Sequence, residues 1–221
     1  MKKFLVIGNP IDHSLSPGLH NYWIKNSSID ATYEKQKINE DQLEQIISQV
    51  KDNKIKGINV TVPFKKTVIP YLDELSSEAQ STQSVNTIYK KDNKIIGHNT
   101  DIFGFETSIK KAEYYLENKE VLILGAGGVV PSIIFSLIKM KTSKIKISNR
   151  TKEKAENLKK IFKDIEVLKW GEISNFDMII NATSLGLKKE DSLNLDFSSI
   201  SRNKFFYDVI YNPSETNFLK M

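Results

Sequence analysis

The chain has 221 residues, of which 39% are hydrophobic and 27% charged, a composition typical of a folded globular protein with one large or two small domains. It has no cysteine, which excludes disulfides, a thiolate nucleophile and a cysteine-ligated metal. The net charge of +5 comes from lysines interleaved with acidic residues, so we expect no nucleic-acid partner. No apolar stretch approaches the roughly 20 residues of a membrane span, and we expect no signal peptide and a cytoplasmic location.

Short strands and helices alternate along the N-terminal half. Apolar periodicity predicts strands at residues 3–8, 32–38, 57–62, 85–90 and 95–98. The last two strands would form a hairpin that turns at Asp92 and Asn93. Helices are predicted at residues 19–29, 39–50, 64–71 and 76–83. In the first helix, Leu19, Tyr22, Trp23 and Ile24 are expected to face the core, and the second would begin with a capping box from residue 39 to residue 42.

Strands and helices also alternate in the C-terminal half, after a linking helix predicted at residues 102–116. Five strands are predicted there, at residues 121–124, 144–148, 165–168, 177–181 and 205–209. This alternation is typical of a parallel sheet with helical crossovers. We therefore predict an α/β protein of two domains, an α/β domain at residues 1–101 and a Rossmann-like domain at residues 102–221.

A glycine-rich turn follows the first of these five strands. The four apolar residues 121–124 predict a strand buried on both faces, and Gly125, Ala126, Gly127 and Gly128 precede a predicted helix at residues 129–140. Strand, glycine turn and helix together favour a site for a dinucleotide pyrophosphate. Val130 stands at the third fingerprint position, where Gly or Ala is usual. A purely structural glycine turn is the alternative.

The end of the second strand indicates which dinucleotide would bind. An NAD site usually places Asp or Glu there, about 20 residues beyond the glycines. This chain has Asn149, Arg150 and Thr151 instead, and Arg150 is one of two arginines among 32 basic residues. A guanidinium suits a 2′-phosphate, so the sequence favours NADP over NAD. A solvated surface arginine is the alternative.

Polar residues collect near predicted strand ends in the first domain. Ser14 and Ser16 lie in a loop, where two hydroxyls could bind a carboxylate, although turn serines are equally common. Asn59 and Thr61 share one face of a strand because side chains alternate with period two. Asn86 lies in the hairpin.

A lysine and an aspartate at the ends of different strands could act as an acid/base couple. Lys65 follows a predicted strand and Asp101 follows the hairpin. The alternative is an ordinary surface pair. The three histidines have no metal-ligand spacing, so no metal site is predicted.

Together these motifs resemble the shikimate dehydrogenase family, in order and from end to end. The stretches that carry the resemblance are residues 8–10, 13–17, 59–65, 84–87, 97–101, 125–128, 149–151, 181–186, 207–208 and 211–213. The resemblance implies a catalytic domain and a Rossmann-type NADP domain. It also implies reversible, NADP-dependent reduction of 3-dehydroshikimate to shikimate, a step of aromatic amino-acid biosynthesis.

The resemblance also implies roles for single residues. The expected substrate-binding residues are Ser14 and Ser16 on the carboxylate, with Asn59, Thr61 and Asn86 around the ring. The expected catalytic residues are Lys65, as acid/base, and Asp101. The expected cofactor-binding residues are Gly125, Ala126, Gly127, Gly128, Asn149, Arg150, Thr151, Thr183 and Tyr211. Of these, Thr183 and Tyr211 would lie on the nicotinamide side.

Two departures from the family pattern stand out. Residues 129–131 are bulkier than the small residues expected after the glycines. The family continues past the position of Met221 with a stretch that returns to the first domain and carries a substrate-binding glutamine, so a C-terminally truncated chain is expected. Two alternatives stay open: a quinate/shikimate dehydrogenase that uses NAD, and a non-catalytic module on the same scaffold. The state would be a monomer or a homodimer.

Overall fold

The computed structural model describes residues 1–188, 190–198 and 200–221. The chain divides into two compact units, Met1–Gly104 and Phe105–Met221. This division lies close to the boundary predicted between residues 101 and 102.

The first unit contains a mixed sheet of six strands. They are β1 Lys2–Gly8, β2 Ala31–Lys37, β3 Gly57–Val60, β4 Glu74–Leu75, β5 Thr87–Lys91 and β6 Lys94–His98. Their order across the sheet is β2-β1-β3-β5-β6-β4. The predicted hairpin of β5 and β6 is confirmed, and Asp92 and Asn93 adopt the positive φ values of 48° and 63° that its tight turn requires. The two-residue β4 is too short to show any periodicity, and the sequence did not predict it.

Three helices accompany this sheet, namely α1 Ser16–Asn26, α2 Leu43–Lys51 and α3 Ser77–Thr82. The predicted capping box is confirmed: the Asn39 N–H donates to Gln42 Oε1 at 2.8 Å, ahead of α2. The helix predicted at residues 64–71 is wrong, because the chain forms successive turns there and a short 3₁₀ helix at Ile69–Tyr71. Pro70 has no N–H to donate, so an α-helix gains little from continuing through it.

The inward side of α1 was also wrongly predicted, except at Ile24. Leu19, Tyr22 and Trp23 are 49%, 64% and 51% exposed. The Asn21 amide instead faces the sheet, where it donates to the carbonyl of Tyr33 at 2.8 Å and accepts from the Tyr33 N–H at 2.9 Å. Ile24 packs beside it, so these contacts turn the longer apolar stripe outward.

The second unit contains a sheet of five parallel strands, as predicted. They are β7 Glu120–Leu124, β8 Lys144–Ser148, β9 Ile165–Leu168, β10 Met178–Asn181 and β11 Phe205–Asp208. Their order is β11-β10-β7-β8-β9, so the strand order reverses between β7 and β10. In open parallel sheets, ligands bind outside the carboxyl ends of the strands at such a reversal.

Helix α4, Asp101–Lys111, begins in the first unit and ends in the second, which also contains α5 Val130–Lys139, α6 Lys152–Ile161 and α7 Asn217–Lys220. Residues 121–124 of β7 are fully buried, which confirms the prediction of a strand covered on both faces. Val130 and Ile134 of α5 pack in the same core. None of the described helices is long and apolar enough to cross a membrane.

Candidate active site

Lys65 and Asp101 are brought together in the first unit, 36 positions apart in the chain. Lys65 lies in the turns after β3, and Asp101 is the first residue of α4. The Lys65 Nζ donates to Asp101 Oδ2 at 2.6 Å, and the two side chains are 11% and 21% exposed. A part-buried ion pair of this kind is held more firmly than a surface pair, because less water competes for it.

The other oxygen of Asp101 is bound by Asn86. The Asn86 Nδ2 donates to Asp101 Oδ1 at 2.9 Å, and Asn86 Oδ1 accepts from the Thr100 N–H at 3.0 Å. The carboxylate is therefore fixed at both ends, by a cation on one oxygen and an amide on the other. This arrangement fixes the direction in which the ammonium of Lys65 points.

Asn99 supports the pair from inside the unit, and its sequence position groups it with Asp101 at the exit of the hairpin. It is buried, its Oδ1 accepts from the Asp101 N–H at 3.0 Å, and its Nδ2 donates to the carbonyl of Ser84 at 2.8 Å. The sequence indicates this role of Asn99 by its place in residues 97–101, a stretch that resembles the family, directly ahead of a predicted helix. An asparagine there can bind a free N–H of the first helical turn.

Asn59 is bound to a tyrosine that sequence reasoning missed. The buried Tyr33 of β2 donates its hydroxyl to Asn59 Oδ1 at 2.6 Å, and Asn59 Nδ2 donates to Thr87 Oγ1 at 3.1 Å. Burial raises the pKa of Tyr33 well above its usual value, while a hydrogen bond with Ser16 acts in the opposite direction. No sequence pattern signalled this contact, since 26 residues separate the two side chains.

The two candidate serines lie at the start of α1. Ser16 contacts Tyr33, and the Ser16 N–H donates to Ser14 Oγ at 3.3 Å. Thr61 lies just after β3, two residues from Asn59, and its N–H donates to the carbonyl of Ile7 at 2.9 Å. One hydrogen bond thus joins Ser14 to the main chain of Ser16 and another joins Tyr33 to Asn59, whereas Thr61 is placed by its main chain.

The glycine turn of the second unit lies at the reversal of strand order. Gly125 has φ +108°, and a Cβ there would lie 2.7 Å from the carbonyl oxygen of Ala182. Only glycine fits this position, because the obstacle is main chain. The turn presents bare backbone ahead of α5, as a dinucleotide pyrophosphate requires. Val130 is buried in the core, so its bulk does not fill the turn.

Asn149, Arg150 and Thr151 follow β8 at the same edge of the sheet. The Gly125 N–H donates to the carbonyl of Ser148 at 2.8 Å, which places this segment beside the glycine turn. Asn149 Nδ2 donates to the carbonyl of Thr151 at 2.7 Å, and Arg150 is exposed. The donor set is uncharged apart from the guanidinium, which suits an added phosphate better than a free ribose hydroxyl.

Thr183 and Tyr211 follow β10 and β11 at this edge. The Thr183 hydroxyl donates to Asn181 Oδ1 at 2.7 Å and accepts from the Leu185 N–H at 3.0 Å. Its proton is therefore committed within the loop. Tyr211 is exposed. Within the described residues, no group of His, Asp and Glu side chains is placed to hold a metal ion.

Both parts of the chain match family models. Residues 6–88 match the shikimate dehydrogenase substrate binding domain, and residues 107–203 match shikimate / quinate 5-dehydrogenase. Over 219 residues the chain is 63% identical to a shikimate dehydrogenase (NADP(+)) of Pelagibacter ubique (strain HTCC1062), a match that covers 99% of this chain and 83% of that relative. The expected C-terminal truncation is not confirmed, because these shares do not say which part of the relative is unmatched.

Solved structures agree with these matches. The shikimate dehydrogenase of Aquifex aeolicus has a TM-score of 0.92 and 39% identity, covering 100% of this chain and 82% of that chain. The shikimate 5-dehydrogenase of Thermus thermophilus, solved in complex with NADP(H) and shikimate, has a TM-score of 0.88 and 29% identity, covering 100% and 83%. The chain therefore belongs to the shikimate dehydrogenase family of NADP-dependent oxidoreductases, as its sequence motifs predicted.

Proposed function

We propose that Lys65 and Asp101 are the acid/base pair with which this chain interconverts 3-dehydroshikimate and shikimate. The observation that carries the proposal is the 2.6 Å hydrogen bond between Lys65 Nζ and Asp101 Oδ2, in a part-buried position. Asn86 on the second carboxylate oxygen supports it, because a fixed carboxylate leaves the ammonium one preferred direction. General acid/base groups act best when they are held in this way.

The proposed reaction needs one proton transfer by the protein. In the direction of reduction, the Lys65 ammonium gives a proton to the oxygen of the C3 carbonyl as it becomes a hydroxyl. In the direction of oxidation, the neutral lysine takes that proton back. Bound NADPH supplies the hydride that the carbonyl carbon gains. Asp101 and Asn86 orient the lysine and contact the ring hydroxyls.

The proposed substrate site consists of Ser14, Ser16, Tyr33 and Asn59, with Thr61 two residues from Asn59. Hydroxyl groups and an amide suit a substrate with one carboxylate and several hydroxyls. The hydrogen bonds from the Ser16 N–H to Ser14 and from the Tyr33 hydroxyl to Asn59 support the assignment. We assign the carboxylate to Ser14 and Ser16.

The proposed cofactor site is the edge of the second sheet. The glycine turn at residues 125–128 would hold the pyrophosphate, and Asn149, Arg150 and Thr151 would surround the 2′-phosphate. Thr183 and Tyr211 would lie on the nicotinamide side. The reversal of strand order and the steric need for Gly125 support this placement. The ion pair of Lys65 and Asp101 gives no support to the alternative of a non-catalytic module. The residues after β8 include no acid, so they give no support to the alternative of an enzyme that uses NAD.

The catalytic proposal is tested by Lys65→Met, assayed by NADPH absorbance with shikimate and NADP. The variant should lose about 10²–10⁴-fold in kcat, the usual contribution of a general acid/base. KM for shikimate should change little, because proton transfer acts mainly in the transition state. The adjacent and exposed Lys66 supplies the matched control, Lys66→Met. A Lys65→Met protein with kcat within a few-fold of the wild type would contradict the proposal.

We further infer, from the composition and charge of the sequence, a cytoplasmic protein without a nucleic-acid partner, and we propose that it works as a monomer or homodimer. Light scattering coupled to size-exclusion chromatography measures the mass in solution. A larger assembly would contradict the inferred oligomeric state.

A further inference from the structure

We propose that Asp208 is a positioning residue that holds the loop of residues 181–186 for the nicotinamide half of the cofactor. The inference rests on the proposed placement of the cofactor at this edge of the second sheet. Asp208 ends β11, and its carboxylate would not touch the cofactor. It would act through Asn181 and the loop that follows β10.

The Asp208 carboxylate joins three separate segments. Oδ2 accepts from the Thr216 hydroxyl at 2.6 Å and from Asn181 Nδ2 at 3.1 Å. Oδ1 accepts from the Ile210 N–H at 2.9 Å. Hydrogen bonds to an ionised acceptor are roughly twice as strong as neutral ones, so a carboxylate is well suited to hold these segments together.

Asn181 passes this constraint to the loop. It is buried, and its Nδ2 also donates to the carbonyl of Leu185 at 3.0 Å. Its Oδ1 accepts from both the N–H and the hydroxyl of Thr183, at 3.1 and 2.7 Å. The orientation of the Asn181 amide therefore fixes both ends of the loop, and Asp208 selects that orientation because it can only accept hydrogen bonds.

The loop so held lies directly against the glycine turn. The Ala182 carbonyl oxygen is the atom that a Cβ on Gly125 would strike, at 2.7 Å. The Ala182 N–H donates to the carbonyl of Leu124 at 2.8 Å, at the end of β7. A shift of the loop would therefore change the space beside the pyrophosphate turn on the β10 side.

The other end of the cofactor site is built differently. Asn149, Arg150 and Thr151 follow β8, on the opposite side of β7 from β10. The hydrogen bonds of Asp208 given above do not extend to that segment. A change at Asp208 should accordingly weaken the whole cofactor and spare a fragment that occupies only the adenosine 2′-phosphate end.

The test compares two probes, NADPH and adenosine 2′,5′-bisphosphate, by isothermal titration calorimetry on the full chain. Asp208→Asn puts an NH₂ group where a donor is already present, which disrupts the network. It should raise the Kd for NADPH roughly three- to thirty-fold, the usual range for a residue that acts through its neighbours. The Kd for adenosine 2′,5′-bisphosphate should stay within about two-fold.

Thr216→Val is the second variant, because it removes the 2.6 Å donor to Asp208 while keeping the side-chain shape. It should give the same selective loss, and it decides the question if Asp208→Asn does not fold by circular dichroism. Thr216→Ser keeps the hydroxyl and should bind both probes as the wild type does. Asp196→Asn is the matched control, because it makes the same substitution elsewhere in the same unit. The Asp196 carboxylate accepts from the Ser198 N–H of its own turn.

Two results would overturn the proposal: equal weakening of both probes by the folded variants, which marks a purely structural role, or no weakening of either. Arg150→Ala separates these results from a failure of the proposed function. It should weaken both probes, since both carry the 2′-phosphate. If it weakens neither, or if the wild type binds no NADPH, the cofactor placement is wrong and the role of Asp208 falls with it.

Discussion

Two substitutions in the glycine turn after β7 should affect different properties, one the stability of the fold and the other the binding of the cofactor. Gly125→Ala places a methyl group 2.7 Å from the carbonyl oxygen and 2.8 Å from the carbonyl carbon of Ala182, at φ +108°. A side chain in such backbone costs about 1–3 kcal/mol, and overpacking in a tight core costs about 1–3 kcal/mol more. The free energy of unfolding should therefore fall by about 2–6 kcal/mol. For a chain of this size that lowers Tm by about 4–24 °C.

Gly127→Ala is the matched variant in the same turn. The nearest atom to a Cβ there is the Ala182 oxygen at 3.9 Å, an ordinary contact, so Tm should stay near that of the wild type. The added methyl would instead stand where the backbone approaches the pyrophosphate, and the Kd for NADPH should rise. Scanning calorimetry and titration with NADPH measure the two effects. Equal losses of Tm in both variants, or none in Gly125→Ala, would refute the steric reasoning.

Two further predictions concern the first unit. Ser14→Ala combined with Ser16→Ala should raise KM for shikimate about ten- to hundred-fold and leave the Kd for NADPH unchanged. The reason is that a substrate carboxylate remote from the reacting carbon contributes equally to binding in the ground state and in the transition state. Ser27→Ala, at the far end of α1, is the control, and a normal KM in the double variant would contradict the assignment of the carboxylate. Because the pKa of Tyr33 is raised in the folded chain, the Tyr33 hydroxyl loses its proton at a lower pH in the unfolded chain than in the folded one. The free energy of unfolding should therefore fall as pH rises above about 10. Tyr33→Phe, compared with wild type by urea unfolding at pH 8 and 11, should flatten that fall, and identical slopes would contradict the burial of the hydroxyl.

The sequence by itself determined the alternation of strands and helices in most of both units and the parallel sheet of the second. Residues 121–124 indicated a strand covered on both faces, and the alternation of such strands with helices predicted a parallel sheet. Asp92 and Asn93 marked the hairpin, because few residues accept positive φ at two successive positions. These signals succeed because they are local: each depends on the period of a few neighbouring residues or on the backbone preferences of one turn.

The sequence also selected most of the candidate site, through motifs whose spacing the fold then brought together. Lys65 and Asp101 were proposed as a couple from their residue types, their places after predicted strands and the family resemblance. Their 2.6 Å contact requires that the turns after β3 and the first residue of α4, which follows the hairpin, lie next to each other in the first unit. Residue type states what a side chain can do, but only the fold decides which other side chain it meets.

Only the tertiary structure decided the contacts between distant segments. Tyr33 of β2 is hydrogen-bonded to Asn59 of β3, although β1 lies between the two strands in the sheet. Asp208 is hydrogen-bonded to Asn181, which lies 27 residues earlier in the chain. The choice of which face of α1 packs against the sheet is a further case. Its apolar stripe and its Asn21 face were both available to the core, and two hydrogen bonds to the main chain of Tyr33 selected the latter. Periodicity defines the faces of a helix, but which face becomes buried depends on partners that lie elsewhere in the chain.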